Sequence, residues 1–132
     1  MQSIVTSQWL AENINNSNII ILDATLHNQR AKQPQNIQEI QISNARFFDI
    51  KLKFSDVTDE FPTAFPSPNQ FEKEAQLLGI NNSSIIIVYD ANGMYSSARV
   101  WWLFKAMGHK NVAVLNGGLP DWVSKNPSLI HI

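Results

Sequence analysis

A chain of 132 residues, 44% hydrophobic and 16% charged, has the size and composition of one globular domain, and at that length burial of roughly two-thirds of the unfolded surface supports a core without covalent staples. Ten Lys and Arg against eleven Asp and Glu leave a net charge of −1, so no basic excess is present to neutralise phosphates and nucleic acid is set aside as a partner. The absence of cysteine removes disulfides, thiolate metal sites and thiol catalysis together.

No apolar run approaches the ~20 residues that span a bilayer, and the opening MQSIVTSQWLAEN has neither the basic nor the apolar region of a signal peptide. The expectation is a soluble, cytoplasmic protein with no membrane partner. In chain order, Thr6 or Ser7 caps a first helix that runs to about Ile14 and buries Trp9 and Leu10. After the turn cluster Asn15-Asn16-Ser17-Asn18, the apolar run Ile19-Ile20-Ile21-Leu22 is too short for a helix and reads as a strand buried on both faces, ending at Asp23. Residues 26–41 form a polar loop, and Ala45-Arg46-Phe47-Phe48 a second strand. Residues 49–66 are irregular, broken by Pro62 and Pro66, and a stretch of that length points to a functional or interface loop.

Ser67-Pro68-Asn69-Gln70 is a helix start, with Ser67 as cap, Pro68 in the first turn and Gln70 completing a capping box. Phe71, Ala75 and Leu78 share its inner face and Gly79 ends it. Ile85-Ile86-Ile87-Val88-Tyr89 is another buried strand, followed by Asp90. Ser96 or Ser97 caps a helix that runs to Met107 and stops at Gly108, with His109 and Lys110 just past its end. Val112-Ala113-Val114-Leu115 is the last clear strand, Asn116-Gly117-Gly118 turns the chain, and Leu119 to Val123 is a short helix carrying Trp122. The domain is expected over 1–124, with 125–132 as the start of an inter-domain linker.

Apolar strands alternating with helices argue an α/β domain with a parallel sheet. Ligands of such sheets sit beyond the carboxyl ends of the strands, which here means the loops after Asp23, Asp90 and Leu115. Asp23, Asp49 and Asp90 all follow strands, but no histidine stands beside them in a ligand pattern, so neither a metal nor a cofactor is expected. Ser96 and Ser97 lack the surroundings of a nucleophile elbow, and Gly117-Gly118 lacks the spacing of a phosphate loop. The helix at 96–107 is apolar nearly all round, interrupted only by Arg99 and Lys105, and is expected to be buried on more than one side. Arg99 is expected to pair with Asp90 or Asp49, or to reach across an interface.

The segment IIIVYDANGMYSSARVWWLFKAMGHKNVAVLNGGLPDW (85–122) resembles the rhodanese family, most closely the N-terminal domains of tandem thiosulfate and 3-mercaptopyruvate sulfurtransferases. WL at 9–10, ILDA at 21–24, ARFFDI at 45–50 and FPTAFPSPNQFE at 61–72 follow in the order the family has them. The resemblance implies a three-layer domain, a central parallel sheet flanked by helices. It also implies that a cysteine should follow the strand at 85–89, open a six-residue loop and carry sulfur as a persulfide held by backbone N–H groups and a helix N-terminus. That position is Asp90 here, and the loop is Asp90, Ala91, Asn92, Gly93, Met94 and Tyr95, without Lys or Arg.

A carboxylate forms no persulfide, and at about 4 Å it repels an anionic donor by on the order of 1–4 kcal/mol. No catalytic residue is therefore assigned. Asp90 is left with two roles, a structural cap at a strand end or a direct ligand contact. Lys51 stands where the family is usually acidic, and Pro62-Thr63 and Gln41-Ile42-Ser43-Asn44-Ala45 depart from its usual turns. These departures weaken any choice of sulfur donor.

Two functions follow from the resemblance. In the first, this is the non-catalytic half of a sulfurtransferase, and its partner is a C-terminal rhodanese domain of the same polypeptide. In the second, it is an inactive regulatory or docking module. In either, Arg99, Trp101, Trp102, Phe61 and Phe65 are candidates for an interface or for supporting the loop, and the isolated domain is expected to self-associate if that surface is apolar.

Overall fold

A computed structural model describes residues 2–26, 40–59, 64–91 and 96–131, the last by its backbone alone. The elements are β1 (Ile4–Val5), α1 (Ser7–Asn13), β2 (Ile19–Asp23), β3 (Gln41–Ile42), β4 (Arg46–Phe47), α2 (Pro68–Leu77), β5 (Ile85–Tyr89), α3 (Ser96–Ala106), β6 (Val112–Leu115), α4 (Gly118–Lys125) and β7 (Ile130–His131). Five strands form one parallel sheet in the order β1-β6-β5-β2-β4, with Ile19 to Asp23 of β2 in register with Ile85 to Tyr89 of β5. β3 and β7 form a separate antiparallel pair.

The β-branched runs expected as strands are strands, because a side chain on each face has a core to enter. Ile20, Leu22, Ile86, Val88, Val112 and Val114 point to one face, where Phe71 and Ala75 of α2 and Val100, Leu103 and Phe104 of α3 cover them. Ile21, Ile87, Tyr89, Ala113 and Leu115 point to the other, beneath Leu10 of α1 and Leu119 and Trp122 of α4. Helices on both faces of a parallel sheet make the three layers that the sequence implied.

The helix ends follow local chemistry. Thr6 Oγ1 accepts from Trp9 N–H at 3.0 Å, and Ser67 Oγ accepts from Gln70 N–H at 3.2 Å, with Pro68 in the first turn of α2. Gly79 follows α2 at φ +82°, and Ile80 N–H returns to Ala75 O at 3.0 Å. Arg46 of the edge strand β4 donates its guanidinium to Leu78 O at the same end. A Cβ on Gly79 would stand 2.7 Å from that guanidinium, the movable end of a long side chain, so it is the positive φ that favours glycine here.

Three expectations are corrected. Gln70 does not close a capping box: its amide reaches Lys53 O at 3.0 Å and Ser55 O at 2.8 Å, and so pins the irregular 49–59 segment to α2. That segment is held further by Phe54 N–H and Lys53 N–H on Asp49 O, by Asp56 N–H on Ala64 O, and by Phe54 stacked on Phe48 at 3.8 Å between centroids. Neither Ser96 nor Ser97 caps α3, since both lie inside its first turn. α3 is buried along one side only, while Ala98, Trp102 and Ala106 form an exposed stripe with Trp102 61% accessible. The stretch after α4, expected as the start of a linker, makes contacts with the domain. Its backbone returns as β7, Ser43 N–H donates to Leu129 O at 3.1 Å and the Trp122 indole to the same oxygen at 2.9 Å.

Candidate functional site

At the carboxyl end of the parallel sheet the chain concentrates buried polar side chains. Asp23, Thr25, Asp90, Ser96 and Ser97 are all at most 3% accessible. Burying such groups is costly unless each finds a partner, and the partners define the site. Asp90 follows β5, and its Oδ2 accepts from Ser97 N–H at 2.8 Å. The carboxylate thus takes up one of the orphan donors at the head of α3, where a negative group meets the helix dipole. This is the capping role that serines at 96 and 97 were expected to supply. Their hydroxyls do otherwise: Ser96 Oγ donates to Ala24 O at 2.6 Å, and Ser97 Oγ is buried with no hydrogen-bond partner among the described residues.

Asp23 closes an equivalent local turn at the end of β2. Its Oδ1 accepts the Thr25 N–H at 3.0 Å and the Thr25 hydroxyl at 2.6 Å, and its Oδ2 accepts the Gln41 amide at 3.0 Å. Thr25 Oγ1 in turn accepts Ala91 N–H at 2.9 Å, so the residue after Asp90 is tethered to the neighbouring strand. Ala24 N–H donates to Tyr89 O and Leu119 N–H to Asp90 O, which extends the main-chain bonding past the end of the sheet. Among the described residues, no group of three or more His, Asp or Glu stands together as a metal site. Asp49 serves its own loop, accepting Leu52 N–H at 3.0 Å.

Of the six loop residues singled out in the sequence, Asp90 and Ala91 are held in this network, while Asn92, Gly93, Met94 and Tyr95 lie outside the described residues, as does Phe61. Arg99 places its guanidinium carbon 4.4 Å from the centroid of the Phe65 ring, a cation–π contact on the outside of α3. Trp101 is half-buried and donates its indole N–H to Val112 O at 3.1 Å, so it supports the helix against β6. Trp102 lies beside it at 5.8 Å, on the exposed stripe.

Thr25 and Gln41 are members of this polar cluster that sequence reasoning passed over. Asp23-Ala24-Thr25 is a local pattern in which an Asp accepts from a residue two further on, and it was legible. Gln41 carried no signal, because its partner is eighteen residues away and reached only in the fold.

A parallel α/β layer with its buried polar cluster at the strand ends is the class of domain that the fold defines. The chain matches the family described as the rhodanese-like domain over residues 6–125 and belongs to that family. It is 38% identical to the thiosulfate/3-mercaptopyruvate sulfurtransferase 1, mitochondrial, of Arabidopsis thaliana over 124 residues, which cover 92% of this chain and 32% of that one. It is 33% identical to the 3-mercaptopyruvate sulfurtransferase of Homo sapiens over 133 residues, covering 95% of this chain and 44% of that one. The crystal structure of the 3-mercaptopyruvate sulfotransferase from Escherichia coli superposes with a TM-score of 0.83 at 32% identity, over 99% of this chain and 50% of that one. The chain thus spans about a third to a half of the length of the relatives it matches. Among the described residues, no helix is long and apolar enough to cross a membrane.

Proposed function

We propose that this domain is the N-terminal, non-catalytic half of a thiosulfate/3-mercaptopyruvate sulfurtransferase, that it buttresses a catalytic C-terminal rhodanese domain, and that alone it transfers no sulfur. The observation that carries the reading is Asp90. It follows the strand at the position where the family resemblance calls for cysteine, and its buried carboxylate already accepts the helix N–H that would otherwise face a bound anion. An oxygen acid there cannot take sulfane sulfur from a donor, and the chain has no thiol elsewhere. The fraction of each relative's length left unmatched is room for a second domain, to which the tail at 125–132 would lead.

The purified chain is expected to produce no thiocyanate from thiosulfate and cyanide. Turnover by the chain that disappears in Asp90→Ala would refute the reading. So would a following domain with no cysteine after its corresponding strand.

A docking module is the second reading, and the exposed side chains Trp102, Leu52 and Val57 favour it. Here the neighbouring sequence would encode something other than a rhodanese domain.

A further inference from the structure

The buried polar groups at the end of the sheet do more than cap α3: they form a continuous path between two segments far apart in the chain. Ala91 N–H donates to Thr25 Oγ1 at 2.9 Å. The Thr25 hydroxyl has one proton, which goes to Asp23 Oδ1 at 2.6 Å, leaving its lone pairs for Ala91. The other carboxylate oxygen of Asp23 accepts the Gln41 amide at 3.0 Å. Gln41 opens β3, and β3 pairs with β7, Gln41 with His131 and Ile42 with Ile130. A second strut runs alongside. Ile42 N–H donates to Tyr89 Oη at 3.2 Å, and Tyr89 is the residue before Asp90.

β3 and β7 have two residues each. A ribbon so short does not hold itself together in water. Its order is therefore borrowed from what grips it, which is Leu129 O under the Trp122 indole and the Ser43 amide on one side, and Gln41 and Tyr89 on the other. In a buried network each bond polarises the next, so loss of one member weakens the bonds that its neighbours make.

We propose that Thr25, Asp23 and Gln41 are positioning residues that couple the start of the Asp90 loop to the C-terminal strap β7, so that the two segments order and loosen as one unit. Displacement of the strap, by whatever it is joined to, reaches Ala91 through Gln41, Asp23 and Thr25, and a change at the loop reaches the strap with the same coupling energy. The inference concerns this chain's own bonds and stands whether or not the sulfurtransferase reading does.

Amide hydrogen exchange on the 132-residue chain tests it. Gln41→Met keeps the volume and removes the donor. It is expected to speed exchange of Ala91 N–H, three hydrogen bonds away, by about fivefold or more, while Ile87 and Val88 in the sheet centre keep their rates. Thr25→Val is expected to speed Ser43 N–H, on the strap side, to a similar degree, and the double variant to gain less than the product of the singles. If Gln41→Met leaves Ala91 within about twofold of the parent, measured relative to Ile87, the bonds are merely local and the coupling is wrong. Should Thr25→Val fail to fold, the Gln41→Met result alone decides.

Discussion

The two faces of the sheet bury aromatic rings for different ends. On the α2–α3 face, Phe48, Phe54, Phe71 and Phe104 pack against one another, stacked, tilted or edge-on at 3.8 to 5.8 Å between centroids. These rings have no polar atom to satisfy, so they contribute area and shape alone. On the α1–α4 face the large rings are Tyr89 and Trp122, both fully buried, and each uses a polar handle on backbone: Tyr89 Oη accepts from Ile42, and Trp122 Nε1 donates to Leu129. One face holds the domain together, while the other also says where the returning chain must lie. A phenyl ring would fill either Tyr89's or Trp122's space in part, but it could not address a particular carbonyl or amide.

Substitutions can break that contrast or sharpen it. Phe104→Ala should have the largest effect, a loss of about 3–5 kcal/mol in chemical denaturation, because it opens a cavity at the centre of the phenylalanine cluster. At that cost the β3–β7 amides should exchange faster only in step with the whole domain. Tyr89→Phe should cost about 1–2 kcal/mol, since it leaves the buried Ile42 N–H without this acceptor. Its signature is selective: exchange at Ile42 and Ser43 should rise more than at Val88. Equal loss of protection everywhere would mean that the hydroxyl does no positioning.

The smallest effect belongs to the surface of the same face. Asp121 accepts the Ser7 hydroxyl at 2.5 Å and pairs with Lys125 at 2.9 Å, joining α1 to α4. The Ser7 hydrogen bond first, and the Lys125 ammonium after it, hold the Asp121 carboxyl below its usual 3.8. A folded-state pKa below the unfolded one means that the contribution is complete above the ordinary carboxylate range and fades as pH falls through the lowered value. For so exposed a group it is worth about 0.5 kcal/mol. Asp121→Asn should therefore lower stability slightly at neutral pH and leave it equal to the parent near pH 2, as read from urea midpoints across that range. A variant that trails the parent equally at both ends would show that charge is irrelevant there.

How far the site could be read in advance varied from residue to residue. Asp90 was marked by its place after a fully apolar strand, and its alternatives included a cap, but the cap of α3 was assigned to the serines instead. The serines at 96 and 97 look like caps because a cap is ordinarily the residue next to its helix. Here the acceptor arrives from across a loop, a route that no local pattern encodes. Gln70 was misassigned for the same reason. At close range the amide competes for one N–H, and in the fold it finds two carbonyls of a segment fifteen and seventeen residues upstream. The pairing of Ile130 and His131 with β3 was not legible, because a two-residue strand has no period to detect.

Period and composition alone determined the α/β class, the buried strands β2, β5 and β6, the helices and their glycine stops, and the lack of any thiol. These depend on burial and backbone preference, which act residue by residue and over one or two turns. Only the tertiary structure decided who partners the buried polar groups: Asp90 with Ser97, Asp23 with Gln41, Tyr89 with Ile42 of β3. A donor and an acceptor buried together must meet, but which pair does so depends on distances that exist only once the sheet has brought the strand ends side by side.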